Sequence, residues 1–308
     1  MLSPALLRAS RSPRARRLVE GLPATRRVVD RFVAGEENAD AVRATLELAR
    51  ANRDVSIDVL GEDVHDEGGA RRTRDAYLAL VGAMADAGVA PGADLSLKLS
   101  ALGRALPRDG DAIALANAHR ICAAADQRGF TVTLDMEDHT TVDATLAVGA
   151  ELRSDFELVG NVLQSNLRRT AGDIEQLRAS PARVRIVKGA YREPASVAFQ
   201  RKAEVDVAYA RDISALFGSA CYPMVATHDP VMLAHAVFEA RRSGRDDDGW
   251  ETQMLYGIRA DLQAEIASSG RRMRVYVPVG TDWYGYFMRR LAERPANVAF
   301  FLRAVAGR

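Results

Sequence analysis

Residues 224–243 read MVATHDPVMLAHAVFEARRS. The stretch opens on a short apolar run, Met224–Ala226, closed by the polar residues Thr227, His228 and Asp229. A helical stretch, 230–243, follows it. The same order recurs along the chain. The other runs are Val55–Leu60, Leu95–Leu99, Thr131–Leu134, Leu158–Leu163, Val184–Val187, Gln253–Tyr256 and Val275–Val279. Between runs lie stretches such as 70–88, 111–128, 195–217 and 259–269, rich in Ala, Leu, Arg and Glu at helical spacing. Alternating strands and helices mean a parallel sheet. Eight such units over about 250 residues match a (β/α)8 barrel in count and length. The competitor is a doubly wound open sheet, which usually announces a nucleotide with GxGxxG after its first strand. The chain contains no GxGxxG.

The composition fits one large α/β unit. The 308 residues are 48% hydrophobic and 27% charged, ample for a core. Lys+Arg is 42 against 41 for Asp+Glu, and a net charge of +1 argues against a general nucleic-acid binder. Two cysteines, Cys122 and Cys221, form no CxxC pair. They exclude a disulfide scaffold or zinc ribbon and suit a reducing compartment. No span is apolar enough to cross a bilayer. The expected division is an N-terminal helical arm, 1–50, and a barrel, 51–308. Residues 1–31 carry eight arginines and two acids, Glu20 and Asp30. Leu18, Leu22, Val29, Phe32 and Val33 give this stretch the spacing of a packed helix. A lipid-facing arm and a transit peptide are the other readings.

In a (β/α)8 barrel the chemistry sits at the C-terminal ends of the strands. The residues closing each run are therefore the candidates. They are Gly61-Glu62-Asp63, Lys98, Asp135-Met136-Glu137-Asp138, Gln164-Ser165-Asn166, Arg185 with Lys188-Gly189-Ala190-Tyr191, Thr227-His228-Asp229, and Tyr276. Lys98, between two leucines, is expected to point inward and to pair with Asp135 on the neighbouring strand, because an unpaired buried cation is costly. Asp135, Glu137, Asp138 and His139 form an acidic cluster that also fits a metal, although Asp138 fits a helix cap equally well. No HxH or HExxH spacing accompanies the cluster. In the last helix, from about Asp282, Tyr286, Arg289, Arg290 and Glu293 fall on one face. Phe287 and Leu291 are offset toward the barrel wall. Two adjacent arginines at a barrel mouth are placed to grip a carboxylate with bidentate forks.

Taken together, these segments resemble the proline dehydrogenase family in its short bacterial monofunctional form. The matching stretches are RFVAGE (31–36), DVLGEDV (58–64), SLKLS (96–100), LDMEDHTTVDATL (134–146), VLQSNLRR (162–169), RIVKGAYREP (185–194), ATHDP (226–230), QMLYGIR (253–259) and RVYVPVGTDWYGYFMRRLAERPAN (274–297). The resemblance implies a distorted (β/α)8 barrel with the last helix over its mouth. It also implies noncovalent FAD and oxidation of L-proline to 1-pyrroline-5-carboxylate, with electrons passed to membrane quinone. Lys98, Arg289 and Arg290 match carboxylate-binding cations, and Glu293 matches the acid paired within that site. Asp135 and Tyr276 match residues of turnover. Tyr191, Leu255 and Tyr286 match the substrate pocket wall. Met136, Gln164, Arg185, Val187, Lys188, Gly189, Ala190, Thr227 and His228 match flavin-contacting positions, with Arg185 near flavin N5. The implied partners are a separate 1-pyrroline-5-carboxylate dehydrogenase and the quinone, with the protein cytoplasmic and peripheral at the inner face of the bacterial membrane. The alternatives are a metal-dependent barrel hydrolase using the acidic cluster and His228, and a non-catalytic amino-acid sensor.

Overall fold

The computed structural model describes residue 26, residues 28–61 and residues 64–293, without the side chains of 292 and 293. The expectations for the basic stretch 1–25, for Glu62 and Asp63, and for the Glu293 side chain lie outside the described residues. The strands are β1 (Asp54–Val59), β2 (Asp94–Leu97), β3 (Thr131–Leu134), β4 (Val159–Gln164), β5 (Arg183–Val187), β6 (Tyr222–Ala226), β7 (Glu251–Leu255) and β8 (Met273–Val279). They pair in parallel in chain order, and β8 closes on β1 with Asp54 opposite Arg274 and Val59 opposite Val279. The expected closed barrel is the observed one.

The helices are α1 (Asn38–Arg50), α2 (Glu67–Asp86), α3 (Gly110–Asp126), α4 (Val142–Asp155), α5 (Thr170–Leu177), α6 (Lys202–Phe217), α7 (Pro230–Arg242), α8 (Ala260–Ser268) and α9 (Trp283–Glu293). Their starts are written in side chains. Asp66 caps α2 by accepting from Gly69 N–H, and Asp229 caps α7 by accepting from Val231 N–H, with Pro230 beside it. The stretch read as helical from 195 becomes a helix only at Lys202. Residues 195–197 instead form a turn, and Ala198 bridges to Leu167. At Arg201 the backbone N–H donates to Glu204, three residues on, and that box fixes the true start.

Outward-facing strand residues such as Val55, Ile57, Leu95, Leu97, Val132, Leu134, Val275 and Val277 are buried with Leu80, Met84, Ala118 and Ile121 of the helices. α1 packs beside β1 and β8, and Ala41, Ala44 and Leu48 join the same core. The last helix lies over the mouth. Trp283, Tyr284, Tyr286, Phe287, Met288 and Leu291 are buried with Leu60, just past β1, and with Val28, Val29, Phe32 and Val33. Phe287 and Leu291 thus share a cluster with Leu60 at the end of β1 and also with the N-terminal segment. Trp283 Nε1 donates to Glu36 at 3.1 Å, tying the helix to the same segment.

Candidate active site

Polar residues collect inside the barrel. The sequences DVSIDV and DLSL alternate, so sending their apolar members out to the helices sends Ser56, Asp58, Asp94 and Ser96 inward. At the floor, Arg274 Nε and Nη2 donate to Glu251 at 2.6 and 3.0 Å, and Nη1 donates to the carbonyls of Val55 and Gly92. Burial alone would raise the Glu251 pKa, but Arg274 and Arg183 outweigh it and hold the carboxyl at about 2.

One layer up, Arg185 crosses the axis. Its Nη2 donates to Ser56 Oγ at 2.8 Å and Asp94 Oδ2 at 3.2 Å, and its Nη1 donates to Ser96 Oγ and Asp135 Oδ1, both at 2.8 Å. Each serine relays the contact, Ser56 donating to Asp94 and Ser96 to Asp135. Arg185 Nε is buried and has no hydrogen-bond partner among the described residues.

At the mouth, Asp135 is shared. Tyr276 donates its hydroxyl to Asp135 Oδ2 at 2.7 Å, and its ring lies 5.4 Å from the Arg185 guanidinium. Burial, then the charges of Asp135 and Asp58, lift the Tyr276 pKa well above its usual value, so the phenol stays protonated and donates. Lys98 does point inward, one residue past the end of β2. It pairs with Asp135 as expected, but Asp58 is the closer of its two carboxylates. Nζ lies 2.8 Å from both oxygens of Asp58 and 3.8 Å from Asp135. Asp58 sits on β1 opposite Ser96, so β2 feeds Lys98 to the neighbour on its other side.

The acidic cluster does not converge. Glu137 accepts from the Ser100 backbone and hydroxyl, Asp138 caps a 3-10 turn by accepting from Thr140 N–H, and His139 pairs with Glu193 at 2.5 Å. Among the described residues no group of three or more metal-capable side chains forms.

On the next side of the rim, Gln164 donates to the Glu137 carbonyl at 2.7 Å. Met136 is buried with Val162 and Leu167, and Val187 packs against them. Lys188 Nζ donates to Asp206 at 2.6 Å and Asp229 at 2.8 Å. Burial works against the ammonium, but those two carboxylates outweigh it and raise its pKa. Gly189 has φ +107°, and a Cβ there would lie 2.1 Å from Asn166 Oδ1, so glycine is required. Asn166 Oδ1 is itself buried without a hydrogen-bond partner among the described residues. Ala190 and Tyr191 follow, exposed on the rim. Thr227 Oγ1 accepts from Asp229 N–H. The Leu255 N–H donates to His228 Nε2 at 3.0 Å, which leaves that nitrogen unprotonated.

Above the axis, Tyr286 and Arg290 are buried, and the Arg290 guanidinium lies 5.1 Å from the Tyr286 ring. Arg289, half-buried, is its neighbour. Asp58, Asp94, Ser56 and Ser96 went unread as site residues. Their signal was a polar residue at every second position of an otherwise apolar strand.

A closed parallel barrel whose charged side chains converge on its axis, with the last helix over its mouth, defines a (β/α)8 protein. The match to known proteins is more specific. The family model "Proline dehydrogenase" matches residues 41–303, and the chain belongs to that family. It is 41% identical to the proline dehydrogenase of Deinococcus radiodurans over 90% of each chain. It is 39% identical to proline dehydrogenase 1 of Bacillus subtilis strain 168 over 91% of each chain. Among solved structures it resembles proline utilization A (PutA) from Bdellovibrio bacteriovorus inactivated by N-propargylglycine. There the TM-score is 0.80 at 26% identity, over 87% of this chain and 33% of that one. The chain therefore spans about a third of that protein. Among the described residues no helix is long and apolar enough to cross a membrane.

Proposed function

We propose that the protein oxidises L-proline to 1-pyrroline-5-carboxylate with noncovalently bound FAD and passes the electrons to membrane quinone. The observation that carries this reading is Arg185. Its terminal nitrogens are both held from below and beside by four acceptors, while its Nε is buried without a partner among the described residues. A bound ligand that supplies an acceptor atom there would satisfy this buried donor. The rim fits a large planar group as well. Gly189 keeps the backbone free of a Cβ, Asn166 offers a buried acceptor, and the Leu255 N–H fixes His228.

In this reading Met136, Gln164, Arg185, Val187, Lys188, Gly189, Ala190, Thr227 and His228 hold FAD. The bound group supplies the two-electron acceptor, and the protein supplies orientation and electrostatics. Lys98, Arg289 and Arg290 take the proline carboxylate as it leaves water, since a buried anion needs compensating charge. Asp58 and Asp135 keep the cations from repelling one another. Tyr191, Leu255 and Tyr286 wall the ring. Burial and nearby cations favour the neutral amine of proline, whose nitrogen lone pair assists loss of hydride from the adjacent carbon. No dedicated base is needed. Arg185 stabilises the negative charge that collects on the acceptor, with Tyr276 and Asp135 fixing its position.

The product then goes to a separate 1-pyrroline-5-carboxylate dehydrogenase. The quinone step places the protein in the cytoplasm, peripheral to the membrane. The purified protein should be yellow, release its flavin in acid, and be inactivated by N-propargylglycine. A colourless protein that takes up no added FAD refutes the proposal.

A further inference from the structure

Asp94 stands apart from the other carboxylates near the barrel mouth. It is fully buried, one layer below Asp135. Its carboxylate accepts from the hydroxyls of Ser56, Thr131 and Thr133 at 2.5, 2.7 and 2.9 Å, and from Arg185 Nη2 at 3.2 Å. Barrel interiors are usually filled by layers of branched apolar side chains. Here three strands instead contribute two threonines, a serine and an aspartate to a buried polar layer that spans two rungs of β3, Thr131 and Thr133. A buried carboxylate is costly unless it is paired and fully hydrogen-bonded. Three hydroxyls and one guanidinium arm meet that requirement. The layer is therefore a preformed seat for Arg185. The two carboxylates on Arg185 differ. Asp135 is divided among Ser96, Tyr276 and Lys98 as well, whereas Asp94 hydrogen-bonds, apart from Arg185, only to neutral hydroxyls, with Arg274 acting on it through charge alone.

We propose that Asp94 is a positioning residue for Arg185, the deep counter-charge that seats the guanidinium across the axis and sets how much positive charge its Nε edge presents to the bound electron acceptor. This rests on the flavin reading given above. Neutralising Asp94 leaves Arg185 less compensated, so negative charge arriving on the flavin is better stabilised. Sulfite reads that charge without turnover. Its sulfur lone pair forms a bond to flavin N5, both electrons come from sulfur, and the negative charge settles on the flavin ring.

The test is a sulfite titration of the FAD-loaded enzyme, followed by loss of flavin absorbance. Asp94→Asn should bind sulfite on the order of tenfold more tightly, the effect of one unit charge over about 10 Å in a protein interior. Thr133→Val keeps the Asp94 charge but removes one hydroxyl dipole from it. This near-isosteric variant should bind sulfite about twofold more weakly, and it carries the test if Asp94→Asn does not fold. A purely structural role would lower thermal stability and leave sulfite affinity where it was. Unchanged or weaker binding in Asp94→Asn overturns the inference, as does unchanged or tighter binding in Thr133→Val. A protein that holds no flavin overturns the functional reading and this inference with it. A flavoprotein indifferent to both substitutions overturns this inference alone.

Discussion

Replacing Arg290 by methionine tests how the last helix is used. The side chain is buried and its guanidinium lies 5.1 Å from the Tyr286 ring, so methionine can keep much of the packing while removing the charge. Two quantities should change. Losing the contact with the aromatic ring costs stability by roughly 0.5–2 kcal/mol. Losing a charge-assisted contact to a buried carboxylate costs about 1.5–3 kcal/mol of substrate binding. That second loss corresponds to a rise in the proline KM of roughly 10- to 150-fold. Arg289 is less buried, so Arg289→Met should fall toward the lower end of that range. The assay is steady-state oxidation of L-proline with an artificial electron acceptor, alongside thermal unfolding of each variant. If both variants bind proline normally, the two arginines belong to a surface ion-pair network and the carboxylate site lies elsewhere.

Gly189→Ala forces a side chain into a backbone conformation with φ +107° and against Asn166, and it should release FAD at dilutions where the parent retains it, as read by ultrafiltration. Tyr286 is buried on the face that carries Arg290, so L-proline should be strongly preferred over trans-4-hydroxy-L-proline, and Tyr286→Ser should narrow the gap in kcat/KM, chiefly by weakening proline binding. Equal efficiency on both substrates in the parent would remove Tyr286 from the pocket wall. Glu251 has a folded-state pKa of about 2 against an ordinary 4.5, so its stabilisation is present above pH 4.5 and is lost as pH falls toward 2. That amounts to about 3 kcal/mol. Glu251→Gln should therefore be less stable at neutral pH, and the difference should shrink in acid unfolding curves below pH 4.5; a pH-independent difference would contradict the assignment.

The barrel was legible because each strand is a short β-rich run closed by polar residues, and the observed strands fall on all eight runs. Strand ends and the start of α6 were less legible. At 195–201 the composition suits a helix, yet the turn at 195–197 and the Ala198–Leu167 bridge keep that segment out of it. Within the site, Lys98 and Asp135 are legible because they close their strands, Arg185 and Tyr276 because they are polar residues in apolar runs, and the structure brings the four together. Asp58 and Asp94 are not legible as site residues, because nothing in the sequence pairs them with a partner. They sit inside strands, and only the closed register shows that they meet Lys98 and Arg185. The expected Lys98–Asp135 ion pair is present, but the closer partner Asp58 is not legible, since a barrel strand has two neighbours and sequence order does not choose between β1 and β3.

The central claim is that this barrel moves electrons from proline to a bound flavin. The direct measurement is the visible absorbance spectrum of the purified protein, taken without oxygen before and after L-proline is added. Flavin bands should be present at the start and should bleach on addition of L-proline. A spectrum without flavin, or flavin bands that L-proline leaves unchanged, would contradict it.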